Sequence, residues 1–394
     1  VTPTDSLVTD DATLARLCSR LSKSGAVALD TEFHSERRFW PELYLVQLAD
    51  STGAWAVDPL SCRDLSPLAG LVSDPALVKI IHSARNDIAI LRRVLSVEFS
   101  NVFDTQIAAA FLGYGEQTSL FTLLSEALGI KAHKAFCLSD WSRRPLADEQ
   151  IEYALDDVRL LVPLHAKLDS DLVRRKRADW YGLEAVGLVD PRTYETSLAE
   201  IYRRARSSGK LKKNSLPVLW ALVKWREAKA RGLDRPRGHV ATDSLLARLA
   251  MMSPRSMDSL DRLRGLPSGW AGKWGEEILG VVGQALSSPP SDVPEIPVRR
   301  QDGGASARGD ILRIFLKQKA HQLKIAPSLL IPRDALDRLS ELPRAEALEF
   351  LDGPSLAGWR REAVAEELKA LLTGRLALAL GTSPSGGLRF VQMR

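Results

Sequence analysis

Apolar and polar positions alternate in two distinct ways along the first part of the chain. ATLARLCSRL (12–21) spaces its apolar residues as a helix does, and GAVALDTEF (25–33) reads as a short buried strand that runs into acids. LYLVQLAD (43–50), GAWAVDP (53–59) and ALVKIIHS (76–83) are further apolar runs of strand length. Helical spacing returns in ARNDIAILRRVL (84–95). VFDTQIAAAFLG (102–113) predicts a strand end, a helix N-capped by Asp104 and a stop at Gly113. DEQIEYALDDVRLLVPLHAKL (148–168) predicts one long amphipathic helix. Strands alternating with helices predict an α/β domain built on a central mixed sheet flanked by helices.

After about residue 200 the strand pattern stops, and helical periods punctuated by Pro and Gly take over. SSPPSDVPEIPVRRQDGGASARGD (287–310) has no apolar period and reads as a linker. The flanking sequence repeats. LVKWREAKARGL (222–233) is similar to LRIFLKQKAHQLKI (312–325), and DSLLARLAMMSP (243–254) to DALDRLSELPR (334–344). LRGLPSGWAGKWGEEILGVV (263–282) pairs with LDGPSLAGWRREAVAEELKALL (351–372), placing Trp270 and Trp359 89 residues apart. The expected organisation is an α/β domain over 1–205, a small all-α domain over 206–288, a linker over 289–308 and a second all-α domain over 309–376. Residues 377–394 form a C-terminal tail left unassigned.

Length supports this division, since 394 residues exceed what one hydrophobic core usually serves. There is no apolar run near membrane-spanning length and no signal-peptide pattern at the start. Cys18, Cys62 and Cys137 are scattered and odd in number, so reduced thiols and a cytoplasmic setting are expected. The net charge of +5 hides an asymmetry. Residues 1–170 hold 16 Lys+Arg against 23 Asp+Glu, which leaves 38 of the 54 basic and 26 of the 49 acidic residues for the remainder. An acidic front and a basic back suit a metal site joined to a polyanion-binding surface.

Asp30 and Glu32 share one face of their strand, because strand side chains alternate. Like charges beside an apolar run repel and are costly to desolvate. Asp87 falls in the first turn of the helix after VKIIH, and Asp157 lies mid-helix with Tyr153 four residues earlier on the same face. Four carboxylates can converge stably as ligands of two divalent ions, Mg²⁺ or Mn²⁺, which favour hard oxygen donors. Such a pair serves phosphodiester hydrolysis.

VALDTEF with YLVQLAD, then IIHSARNDIAIL, then DWSRRPLADEQIEYALDDVRLL resemble the three motifs of the DEDDy 3′→5′ exonucleases. With DWSRRPL and the paired helical repeats, the chain looks most similar to the ribonuclease D family, whose C-terminal repeats are helicase-and-ribonuclease-D C-terminal (HRDC) domains. The resemblance implies metal ligation by Asp30, Glu32, Asp87 and Asp157, and a water-orienting role for Tyr153. It implies release of nucleoside 5′-monophosphates one at a time from RNA 3′ ends, with structured precursors such as tRNA as substrates. Tyr153, in place of a His, marks the tyrosine branch.

Other residues fit plainer roles or more open ones. Asp104 reads as a helix cap, Asp156 as solvent-facing and His82 as structural. Arg143 and Arg144 are candidate phosphate contacts, and Phe33 and His34 candidate contacts to the terminal base. His34, His133, His165, His239 and His321 show no metal-ligand spacing. Arg203, Arg204, Arg206, Lys210, Lys212 and Lys213 form a candidate backbone-phosphate track. Two rivals stand beside the ribonuclease reading. One is a 3′→5′ DNA exonuclease, because metal ligands do not sense the sugar and HRDC domains also accompany DNA helicases. The other is an inactive RNA-binding module, opposed by the presence of all four carboxylates and the tyrosine. Nothing in the sequence demands more than a monomer.

Overall fold

The computed structural model describes residues 6–34, 36–130, 140–295, 303–381 and 387–393. Cys137, His133 and part of the 289–308 linker lie outside them.

Among the described residues a six-stranded sheet runs β1 (Leu7–Val8), β4 (Gly53–Val57), β3 (Glu42–Asp50), β2 (Ala26–His34), β5 (Val78–Ile81), β6 (Val102–Asp104) in spatial order. β1 pairs parallel with β4, and β3 antiparallel with β4. β2 and β5 are parallel, with Ala28 opposite Ile80, and β5 and β6 are parallel, with Ile81 opposite Asp104. The sheet is therefore mixed, as the sequence predicts. β1 is not legible in the sequence, because two residues carry no readable period.

Around the sheet lie α1 (Asp11–Leu21), α2 (Ser66–Ser73), α3 (Arg85–Leu95), α4 (Thr105–Leu112), α5 (Leu120–Leu128), α6 (Asp148–Arg159), α7 (Leu161–Arg174) and α8 (Ala178–Val189). Asp104 caps α4 by accepting from the Gln106 and Ile107 amides, and Gly113 closes it at φ +84°, a left-handed conformation that suits glycine. The helix expected over 148–168 is broken at Leu160 into α6 and α7. Pro163 is the cause: it has no N–H to give residue 159, and its ring crowds that carbonyl. Ile151, Ala154, Leu155 and Val158 of α6 join Ala28, Leu45, Ala56 and Ile80 of the sheet in one core.

The C-terminal half holds α9 (Leu198–Ser207), α10 (Leu216–Gly232), α11 (Arg237–Val240), α12 (Asp243–Met252), α13 (Met257–Asp261) and α14 (Trp270–Ser287). It continues with α15 (Gly303–Leu323), α16 (Pro327–Leu330), α17 (Arg333–Glu341), α18 (Arg344–Asp352) and α19 (Glu366–Leu372). The C-terminal segment forms an antiparallel hairpin, β7 (Leu376–Leu380) with β8 (Leu388–Gln392).

Packing divides the chain differently from the expected boundaries. One compact unit comprises Val1–Glu32, Tyr44–Asp190 and Arg299–Arg394; the other comprises Phe33–Leu43 and Pro191–Val298. The first helical domain thus starts before residue 206. Ile201, Tyr202 and Ala205 of α9 are buried in its core with Leu219, Leu246 and Ile278. The 33–43 segment joins this unit through Asp234, whose carboxylate accepts from the Phe39 and Trp40 amides at 3.1 and 3.2 Å and pairs with Arg38 at 3.2 Å. α15 begins inside the stretch that reads as linker.

The second helical repeat belongs to the same unit as the sheet. Its Ala326 amide donates to the Ala110 carbonyl at 2.9 Å. Arg177 donates to the carbonyls of Phe111, Leu323 and Lys324, and Arg175 to that of Leu112 at 2.7 Å. A Cβ on Gly113 would stand 2.8 Å from the Lys324 carbonyl oxygen. Trp359 stacks on Trp180 with centroids 4.9 Å apart, and its indole N–H donates to Glu184 at 3.1 Å. Its repeat partner Trp270 instead donates to the Val240 carbonyl at 2.7 Å, inside its own domain.

Candidate active site

β2 runs beside β5 through its buried residues and emerges from the core at Asp30. Asp30, Glu32 and Asp157 each bring a carboxylate oxygen within 4.8 Å of the others. The first two come from alternate positions of one strand and the third from α6, so the convergence is built by tertiary packing. Asp87 enters from the first turn of α3, where the Thr31 hydroxyl donates to its Oδ1. Thr31 carries no signal in the sequence; strand alternation points it away from Asp30 and Glu32, and only the fold brings Asp87 to it.

The electrostatics show how costly this cluster is without a counter-charge. Burial, then the charges of Asp87, Asp157 and Glu32, push the Asp30 carboxyl well above its ordinary range. Glu32 is pushed up to about 8 by burial and by Asp157 and Asp87. Burial raises Asp87 to about 6 against the Thr31 hydrogen bond, and raises Asp157 to about 6 against a hydrogen bond from Tyr153. Among the described residues no Lys or Arg pairs with any of the four. A clustered, largely half-buried, all-oxygen donor set of this kind fits a hard divalent cation. This fold generally depends on such cations.

The plainer readings hold elsewhere. Asp104 accepts from the Ser83 and Ala84 amides as well as capping α4. His82 is held between the Thr105 hydroxyl at 2.8 Å and the Thr118 carbonyl at 3.1 Å. Asp156 is exposed and pairs with Arg159 at 2.8 Å. Phe33 and His34 are the half-buried last residues of β2. Arg143 is 83% exposed and pairs with the exposed Asp140 at 3.0 Å. Arg144 departs from the expectation of a phosphate contact. It is bound to Asp58 through two nitrogens, at 2.7 and 2.8 Å, and its remaining donors meet backbone carbonyls. In the second unit Arg203, Arg204, Lys210, Lys212 and Lys213 are exposed.

The chain is similar to known proteins over most of its length. The family described as 3′-5′ exonuclease matches residues 6–173, and the HRDC domain family matches residues 215–282. The chain is 37% identical over 383 residues to ribonuclease D of Granulibacter bethesdensis, covering 96% of this chain and 95% of that protein. It is 34% identical over 376 residues to ribonuclease D of Nitrobacter hamburgensis, covering 95% and 97%. The crystal structure of Escherichia coli RNase D, an exoribonuclease involved in structured RNA processing, superposes with a TM-score of 0.82 at 28% identity, covering 93% of this chain and 98% of that one. The sheet, the carboxylate cluster and this near-full-length similarity lead to one assignment: the chain belongs to the ribonuclease D family and is a 3′→5′ exoribonuclease.

Proposed function

We propose that Asp30, Glu32, Asp87 and Asp157 hold two divalent ions, Mg²⁺ or Mn²⁺, and that the protein trims the single-stranded 3′ ends of structured RNAs, tRNA precursors among them. The observation that carries this reading is the gathering of three carboxylates from β2 and α6 within 4.8 Å, with their protons held up by burial and mutual repulsion. When bound, the ions neutralise this charge and lower the barrier to water attack on the terminal phosphodiester. The protein's part is to fix the carboxylates and to orient the water. Tyr153, hydrogen-bonded to Asp157, does the latter through its hydroxyl.

Phe33 and His34 are proposed to contact the terminal nucleotide, and Arg143, exposed two residues after Trp141, a backbone phosphate. The exposed bases of the second unit supply a sequence-independent phosphate track. The second helical repeat is a second HRDC-type domain on this reading. Buried free Cys18 and Cys62 suit a reducing cytoplasm, and the protein acts as a monomer. Among the described residues no helix is long and apolar enough to cross a membrane.

The test is a time course on a 5′-labelled RNA with a short single-stranded 3′ tail, with Mg²⁺, with Mn²⁺ and with chelator, beside the same sequence as DNA. A metal-dependent ladder shortening from the 3′ end on RNA supports the proposal. Equal ladders on RNA and DNA would reopen the substrate, and tight binding without any ladder would favour a binding module.

A further inference from the structure

Arg144 lies nine residues before Tyr153 and four before the start of α6. A guanidinium has five N–H donors in a rigid plane. Here each has a protein acceptor. Nε and Nη2 hold Oδ2 and Oδ1 of Asp58 at 2.7 and 2.8 Å. Nη2 also donates to the Tyr44 carbonyl, and Nη1 to the carbonyls of Trp141 and Arg143, each at 2.8 Å. No donor is left for a phosphate.

The acceptor side is equally fixed. Asp58 directly follows β4 and is 1% exposed. Its carboxylate also accepts from the Leu60 amide at 2.9 Å and the Ser61 hydroxyl at 3.0 Å, and its amide donates to Val8 of β1 at 2.9 Å. Tyr44 lies in β3. The guanidinium therefore ties the 141–144 segment to the ends of two strands. That segment leads into α6, whose N-cap, Ala147, has no side chain able to cap it. Trp141, whose carbonyl Arg144 holds, is buried, and its ring lies 6.4 Å from that of Tyr153 at 31°.

We propose that the Arg144–Asp58 pair is a positioning clamp for the third motif. It fixes Trp141 and the entry to α6, and so sets the Tyr153 hydroxyl relative to the carboxylates without touching RNA. The proposal rests on the water-orienting role of Tyr153 given above.

The test compares R144K and D58N in the full-length protein, alone and combined with Y153F, by single-turnover rates, KM, and RNA affinity as a function of salt. Lysine keeps the charge but cannot bridge Asp58 and three carbonyls in one plane. The expected result is a kcat lower by tenfold to on the order of 10²-fold, the cost of a misplacement of about 1 Å. KM and the salt dependence of RNA affinity stay unchanged. On a Y153F background R144K adds little further loss, because both changes act on one group. A raised KM with a shallower salt slope would overturn the proposal in favour of a phosphate contact. A further loss on Y153F as large as on wild type would overturn it in favour of a general structural role. Near-normal turnover by Y153F alone would refute the role of Tyr153, and the proposal with it. D58N, close in shape, removes the charge and turns one acceptor oxygen into a donor that cannot receive the guanidinium, and it carries the same comparison if R144K does not fold.

Discussion

The Thr31 hydroxyl donates to Oδ1 of Asp87, joining the strand that carries Asp30 and Glu32 to α3. A buried hydrogen bond to a carboxylate favours its charged form. T31V should therefore push the Asp87 carboxyl further up in the metal-free protein and shift the profile of turnover against Mn²⁺ concentration to higher Mn²⁺. Turnover at neutral pH should fall by about ten- to 150-fold, since a hydrogen bond to a charged group contributes about 1.5–3 kcal/mol. A profile that coincides with wild type would remove Thr31 from the site.

Asp30→Asn and Asp157→Asn keep side-chain size and remove a ligand charge. Turnover should drop by about a hundredfold or more, the scale of removing one preorganised electrostatic group. RNA affinity should hold, because the exposed bases lie elsewhere in the chain. Retained turnover in either variant would rule out its aspartate as a ligand.

The same acids couple stability to pH. In the metal-free protein Glu32 at about 8 and Asp87 and Asp157 at about 6 keep protons that an unfolded chain has released at its ordinary values of 4.5 and 3.8. Through these acids the folded state binds more protons over that window, so their contribution to stability falls as pH rises from about 4 to about 8, while His82 and His165, held low by burial, contribute in the opposite sense. Thermal melts in chelator should show this decline, and Mn²⁺ should reverse it most strongly at the alkaline end. D30N should melt higher than wild type in chelator at pH 8, since it relieves the repulsion. D30N melting no higher than wild type in chelator at pH 8 would contradict the cluster electrostatics.

Trp359 offers a test of the second helical repeat. It is buried against Trp180 and Phe111, with its indole N–H on Glu184. W359A should cost about 3–5 kcal/mol. W270A should cost a similar amount but act in the other unit. Denaturant titration would separate the two, and a W359A loss below about 1 kcal/mol would mean that this packing does not hold in solution.

Replacing Arg203, Arg204, Lys210, Lys212 and Lys213 with Gln should weaken RNA binding. It should also flatten the salt dependence, by about one unit of slope for each phosphate no longer neutralised. Hydrolysis of short oligonucleotides should change little. An unchanged slope would dismiss the track.

What the sequence could show follows from where the information lies. Asp30, Glu32, Asp87, Tyr153 and Asp157 each sit at a local landmark: a strand end, a first helical turn, an i,i+4 pair. Periodicity exposes the landmarks, and the resemblance to the DEDDy motifs is what singles out these residues among the acids that share them. The break at Leu160 is also local, and Pro163 announces it, but the strong apolar stripe of 148–168 outweighs one residue. Arg144 is not readable, since its Asp58 partner is 86 residues away and an Arg in a loop looks the same whether it faces solvent or a buried carboxylate. The unit boundaries are hidden for a similar reason. Nothing in the 33–43 segment signals that Asp234 holds it, and the two helical repeats look alike although Trp270 and Trp359 have unlike partners.

Helix C-termini leave carbonyls without intrahelical donors. At the end of α4 those of Ala110, Phe111 and Leu112 are met by Ala326, Arg177 and Arg175, and Gly113 leaves room for Lys324 to approach. The C-terminal repeat is therefore no portable cassette. A chimaera that exchanged it for a foreign helical domain would have to bring a matching donor for Ala110 and a backbone able to pass a residue without a side chain. In this chain residues 110–113 and 323–326 are one joint, to be kept or exchanged together.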